Sequence, residues 1–288
     1  MTDYDRTDQD FGNIVSLDHV NLTVPDQQMS TLFHIVGMGH TRDPYMTVGL
    51  ENMWVNIGRE QFHLPTRDSA QVLRGRIGLV TPDVDELEER LDRMASRFEG
   101  TQFAVEREGR NLDVTGPWGN RFRCHPADGE RLGGANIGLE YLIFNVPAGT
   151  APGIARFYGQ VMGATTDLVE RRGSPTARVQ AGRHQAMLFR EDPDESRPYD
   201  NHHIAVYIAD FSGPHKALQE MDLVTEESNA SQYRFVNITD PETGETLYEL
   251  EHEVRSMVHP MYGRELVNRN PVQSLQVYRR GADALMVG

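Results

Sequence analysis

Cysteine is almost absent from this chain: Cys124 stands alone among 288 residues. One thiol allows no disulfide framework, and there is no CxxC metal knuckle. The GxxxxGK[ST] phosphate loop, the GxSxG nucleophile elbow and the HExxH zinc motif are missing too. No apolar run is long enough to span a bilayer, so no membrane association is expected. Basic residues are outnumbered, 28 Lys and Arg against 43 Asp and Glu, for a formal net charge of −15. A general nucleic-acid binder needs a basic patch, which excludes that class. The balance suits a soluble, self-repelling cytoplasmic protein. The opening MTDYDRTDQDFGN is acidic and polar, unlike a secretory signal. Its acidic cluster lacks the glycine and the terminal glutamate spacing of a calcium loop.

What is present is ordinary in amount, 38% hydrophobic and 25% charged, but repeated in order. Leu17–Pro25, LDHVNLTVP, returns as Leu139–Pro147, LEYLIFNVP, 122 residues on. Gly58–Pro65 returns as Gly182–Phe189 at an offset of 124, and Ile77–Asp83 as Ile204–Asp210 at 127. Three echoes in one order, with a slowly drifting offset, indicate a duplicated domain with small insertions.

The local patterns fill in the repeat. A strand over Ser16–Val24 is followed by a helix capped by Asp26, with the apolar stripe Met29, Leu32, Phe33 and Val36. Strands are expected at Tyr45–Leu50, Met53–Ile57 and Gln61–Leu64, giving β-α-β-β-β. A second such unit begins with a strand at Arg76–Thr81 and a helix opened by Asp83 and Glu86 as a capping box. Pro126–Asn136 is polar and rich in glycine, as a linker would be. The plan repeats from Leu139, and its fourth unit opens at His203–Ile208. The expected division is a disordered lead-in (1–15), an N-terminal domain (16–126), a linker (127–137), a C-terminal domain (138–254) and an arm (255–288). The arm has no repeat partner and is expected to pack across the domains or to form a homodimer contact.

Four β-α-β-β-β units, with LDHVNLTVP, HHIAVYIAD and DPETGETLYELE in this order and spacing, resemble the vicinal oxygen chelate superfamily. That superfamily includes the glyoxalase I, bleomycin-resistance and extradiol dioxygenase families. The resemblance covers about residues 16–254 and implies an α+β fold of four βαβββ modules, paired into two domains with curved mixed sheets. It also implies metal-ligand positions on the first and last strands of each unit. In the first cup these fall on His19, His63, Arg76 and Arg123; in the second, on Tyr141, Met187, His203 and Glu249. Neither cup as drawn holds three orthodox ligands. Arginine stays protonated and cannot ligate. A divalent metal, Fe or Mn, is therefore considered with an incomplete set, His203 and Glu249, in the C-terminal domain.

Strand alternation reads the faces independently. Val20, Leu22, Val24, Phe62, Leu64, Ile77, Leu79, Phe122 and Cys124 fall on the apolar face. His19, Asn21, Thr23, Gln61, His63, Arg76, Arg121 and Arg123 fall opposite, joined by Trp54 and Asn56. Two Arg and two His suit an anionic oxygen, because Arg binds such groups in bidentate fashion. The leading expectation is an enzyme of lyase, isomerase or dioxygenase type acting on a small anionic molecule, with or without a metal. His19 and His63 would be its acid–base groups. Arg76, Arg123, Asn56, Gln61, Trp54, Tyr141 and Tyr207 would bind substrate. The alternatives are an extradiol-type dioxygenase with its metal on His203 and Glu249, and a non-catalytic protein that sequesters a small molecule. The competing structural reading pairs Arg76 and Arg123 with acidic residues across the cup.

Overall fold

The computed structural model describes residues 4–46, 51–129 and 131–269. Among the described residues, sixteen strands and four short α-helices alternate as four β-α-β-β-β modules, and the strands form two mixed sheets of eight, an α+β arrangement. The first module holds β1 (Ile14–Asn21), α1 (Gln27–Thr31), β2 (Thr41–Arg42), β3 (Asn52–Ile57) and β4 (Glu60–Pro65). The second holds β5 (Gly75–Thr81), α2 (Val84–Met94), β6 (Ala104–Glu108), β7 (Asn111–Thr115) and β8 (Arg121–Pro126). The third holds β9 (Gly138–Val146), α3 (Ala151–Arg156), β10 (Thr166–Arg171), β11 (Ser174–Ala181) and β12 (Gln185–Glu191). The fourth holds β13 (His203–Ile208), α4 (Ser212–Glu220), β14 (Val224–Asn229), β15 (Gln232–Thr239) and β16 (Thr246–Ser256).

The chain divides into two compact units. An amino-terminal unit takes Asp18–Ile143, Pro198–Ile204 and the chain from Gly263; the other takes the residues up to Leu17, Phe144–Arg197 and Ala205–Tyr262. These limits differ from the boundaries expected at 126 and 138, because β1, β9 and β13 each begin in one unit and end in the other.

In the amino-terminal unit the strands lie as β1-β4-β3-β2 and β5-β8-β7-β6. The apolar faces expected from alternation are buried: Val20, Phe62, Leu64, Ile77, Leu79, Phe122 and Cys124 are at most 2% exposed. Phe33, from the turn after α1, packs its ring 5.6 Å from Phe122, and Phe62 lies 5.9 Å from Phe122. Asp26 starts α1 by accepting from the amides of Gln28 and Met29. That helix relaxes into a π turn, Leu32–Gly37. Asp83 starts α2 in the same way, accepting from Asp85 and Glu86. Arg90 of α2 donates through Nε to the Gly37 carbonyl at 2.7 Å, satisfying one orphan at the end of the π turn.

In the other unit β14-β15-β16-β13 and β10-β11-β12-β9 repeat the plan. Its core is aromatic: Phe144 stacks on Phe189 at 5.1 Å, and His252 lies flat on Phe235 at 4.3 Å.

Three expectations shift. The strand foreseen at Tyr45–Leu50 is not one in its described part: β2 sits earlier, at Thr41–Arg42, Tyr45 and Met46 turn around the Asp43 carboxylate, and 47–50 lie outside the described residues. β14 escapes sequence reading, because VTEESN carries almost no apolar signal and forms an exposed edge. The lead-in is anchored sooner than residue 16. Asn13 donates to the Met162 and Asp210 carbonyls, and β1 starts at Ile14.

Candidate metal centre

Within the amino-terminal unit, β1 runs parallel to β4, with His19 opposite Gln61 and Asn21 opposite His63. His19 and His63 therefore share one strand face, as alternation requires. The sheet order sets β13 on the other side of β1 and brings in His203 at its first residue. The segment before it is pinned inside the same unit. Asp200 accepts from the Val72 amide at 2.6 Å, and its carbonyl accepts from Gln71 Nε2 at 2.9 Å. Ring donor atoms of His19, His63 and His203 all lie within 4.8 Å of one another. Their ring centroids are 6.0 Å apart for His19 and His63, and 5.7 Å for His19 and His203.

Each ring is held. His19 is 1% exposed, and its Nδ1 lies 2.8 Å from Asp18 Oδ2. A proton on Nδ1, shared with that carboxylate, leaves a lone pair on Nε2. That buried Nε2 meets no hydrogen-bond partner among the described residues. His63 stacks on Trp54 at 4.0 Å, with planes 11° apart, and its Nε2 lies 2.7 Å from Asn52 Oδ1. Trp54 is also edge-on to His19 at 5.0 Å. A buried polar nitrogen without a partner is costly. Three convergent imidazoles, one oriented by a carboxylate, are the kind of donor set that a divalent metal with open positions would take. Imidazole donors suit iron, zinc or nickel better than manganese, which favours oxygen. The residues fit a metal.

The structure groups the candidate ligands differently from the sequence expectation. His19 and His63 were assigned to one cup and His203 to another, whereas the sheet order brings all three together. Glu249, the other ligand foreseen with His203, is exposed on β16 opposite Asn237, in the carboxy-terminal unit. Met187 is fully buried on β12 beside Val179.

Arg76 and Arg123 do not join the histidines. They lie on β5 and β8, in the other strand quartet, and share one carboxylate. Arg76 Nη1 is 3.1 Å from Asp113 Oδ2; Arg123 places Nε 2.7 Å and Nη2 2.6 Å from the two oxygens of the same group. Arg123 also pairs with Glu108. Beside them Tyr141 meets His125 Nε2 through its hydroxyl at 2.9 Å, and Asn111 Oδ1 holds His125 Nδ1 at 2.8 Å. Gly78 makes room for that tyrosine, since a Cβ there would stand 2.3 Å from its ring. Sequence reading passed over His125, although the alternation through Arg121 and Arg123 points to it. Asn56 and Gln61 lie on the histidine face and bond each other at 2.7 Å. Tyr207 is in the carboxy-terminal unit, edge-on to Tyr262 at 4.9 Å, and accepts from Arg255 at 3.4 Å. Cys124 is buried, and burial pushes its thiol up to about 12, so it is no nucleophile.

No family model matches the sequence, and no curated protein matches it. Solved structures do. A Bacillus subtilis protein provisionally described as a dioxygenase superposes with a TM-score of 0.60 at 11% identity, over 86% of this chain and 87% of that one. Glyoxalase I from Zea mays does so with a TM-score of 0.56 at 12% identity, over 84% of this chain and 92% of its own. No membrane-length apolar helix occurs among the described residues. At such identities likeness speaks for architecture alone, and with the four β-α-β-β-β modules it establishes that this chain has the vicinal oxygen chelate fold.

Proposed function

We propose that this chain is a metal-dependent enzyme of glyoxalase or dioxygenase type, acting on a small organic molecule. The convergence of His19, His63 and His203 donor atoms within 4.8 Å carries the reading. The three histidines would hold a divalent ion. Such an ion supplies Lewis-acid polarisation of a substrate oxygen, or oxygen chemistry where the metal is redox-active. The residues around it do the rest. Asp18 fixes the His19 tautomer and strengthens its Nε2 as a donor. Trp54 locks the plane of His63 and offers an apolar flank to a flat substrate.

Sequence reading gives His19 and His63 acid–base roles; in this proposal they would serve as ligands instead. An anionic substrate remains part of the proposal, because a carboxylate, enolate or catecholate oxygen is what open metal positions favour. The fold alone does not carry catalysis, since one fold hosts many chemistries.

The test is metal content and affinity, by elemental analysis after loading with Fe(II), Zn(II) or Ni(II), and by Co(II) titration. Wild type is expected to bind a single equivalent. His19→Ala, His63→Ala and His203→Ala should each lose it while keeping native circular dichroism. Asp18→Asn should keep the stoichiometry and weaken affinity by about 10- to 100-fold. A wild type that takes up no metal, or a His203→Ala variant that binds as well as wild type, would overturn the assignment and favour small-molecule sequestration.

A further inference from the structure

The described end of the chain, Gly263 to Arg269, is built into the amino-terminal unit by three separate fastenings. The first is a peg. β3 and β4 are joined by the two-residue turn Gly58–Arg59, with Ile57 opposite Glu60. Gly58 has φ +90°. A two-residue hairpin turn leaves the amide and carbonyl of its first residue outside the ladder. The side chain of Asn268, buried at 6% exposure, meets both: its Oδ1 accepts from Gly58 N at 2.9 Å and its Nδ2 donates to Gly58 O at 2.7 Å.

The second fastening is ionic. Arg264 Nη2 lies 2.8 Å from Asp43 Oδ2, and the Asp43 side chain is wholly buried. The same carboxylate accepts from the amides of Tyr45 and Met46 and from Gln61 Nε2 at 3.1 Å. The third is a run of polar contacts. Asn56 Nδ2 donates to the Val267 carbonyl at 2.8 Å, and the Arg269 amide donates to Thr41 Oγ1 at 2.6 Å.

The face on which this strap is fastened is the histidine face. Asn56 follows Trp54 by two residues on β3, so both point the same way, and Trp54 stacks on His63. Gln61, bonded to Asn56 and Asp43, is the strand partner of His19. Of two residues foreseen as substrate contacts, Asn56 thus spends its amide nitrogen on the strap, and Gln61 spends its own on Asn56 and on Asp43, the carboxylate that holds Arg264. A polar strand face that merely met water would need no such cover, whereas a metal centre needs walls that exclude solvent and limit what enters.

We infer that the Gly263–Arg269 strap is a wall of the histidine cup, and that Asp43, Asn56, Gln61 and Asn268 are positioning residues that control access to it. The inference rests on the proposed metal centre, but the strap itself can be read without metal. In a Trp118→Phe background Trp54 is the remaining tryptophan of the chain's two. Its acrylamide quenching reports cover over the cup, and the rate at which dipicolinate strips bound Co(II) reports access to the metal.

Asn268→Asp keeps the size of the peg but sets a carboxylate against the Gly58 carbonyl. It should raise both quenching and stripping by about 10-fold, the value of one or two lost hydrogen bonds, at unchanged Co(II) stoichiometry. Arg264→Ala should do the same, and Arg264→Lys should restore most of the wild-type behaviour. Arg264→Ala decides the matter if Asn268→Asp does not fold. Folded variants with wild-type quenching and stripping overturn the inference. Faster quenching in a protein that binds no Co(II) upholds the strap as a cover and overturns the metal reading instead.

Discussion

Two strand quartets in the amino-terminal unit share one backbone plan and carry opposite chemistry. In the first, His63 stands opposite the residue two places after His19; in the second, Arg123 stands opposite the residue two places after Arg76. Both pairs are parallel, and both place apolar side chains on the core face. The first quartet fills its matched positions with imidazoles whose lone pairs converge. The second fills them with guanidiniums tied to Asp113, and sets a Tyr141–His125–Asn111 chain beside them. The backbone decides where side chains meet, and the donor type decides what the meeting can hold. Imidazole nitrogens can donate to a cation, whereas two guanidiniums repel it.

The sharpest way to break the contrast is to write the second quartet into the first. His63→Arg should abolish divalent-metal binding, the largest effect expected, because it removes a donor and adds a fixed positive charge; Co(II) titration reads it. Retained affinity would mean that His63 is not a ligand.

Next comes pH, which separates the two faces of the first quartet. On its core side His34 and His40 are buried against Phe62. Burial lowers His34 to about 3, and lowers His40 well below its usual value with help from the charges of His34 and Arg90. Both pKa values fall on folding, so the unfolded chain binds protons first. Stability from these groups is full above about pH 6.5 and is lost as pH drops toward 3. By pH 5 the loss from His34 alone should be about 2 kcal/mol in urea unfolding. A flat profile from pH 7.5 to 5 would show these histidines to be solvated.

The smallest effect is expected in the second quartet. Tyr141→Phe removes the hydroxyl from His125, which burial already holds near a pKa of about 4. It should cost about 1 kcal/mol of stability and leave metal affinity unchanged. A change in metal affinity would mean that the two quartets are coupled.

Much of this was legible in the residues. The repeat of LDHVNLTVP as LEYLIFNVP located the modules, Asp26 and Asp83 marked helix starts, and alternation sorted His19 and His63 from Val20 and Phe62 onto opposite faces. Each of the three clustered histidines was singled out on local grounds. Their union was not legible, because it depends on β13 lying beside β1, a pairing of strands far apart in sequence. Local patterns carry register and face, but not which module a sheet continues into. For the same reason Asn56 reads as free to meet substrate, when the Val267 carbonyl that engages it lies 211 positions further on.

The segment Pro198–Ile204, which carries His203 into the amino-terminal unit, has a consequence for how the protein is made. A ribosome releases His19 and His63 early, then translates 139 further residues before His203. Until then the nascent chain offers an ion two donors, a poor trap for any metal. Under the proposed metal reading, loading would therefore be a late event in biosynthesis, and a filled site would certify that translation has passed the start of the fourth module.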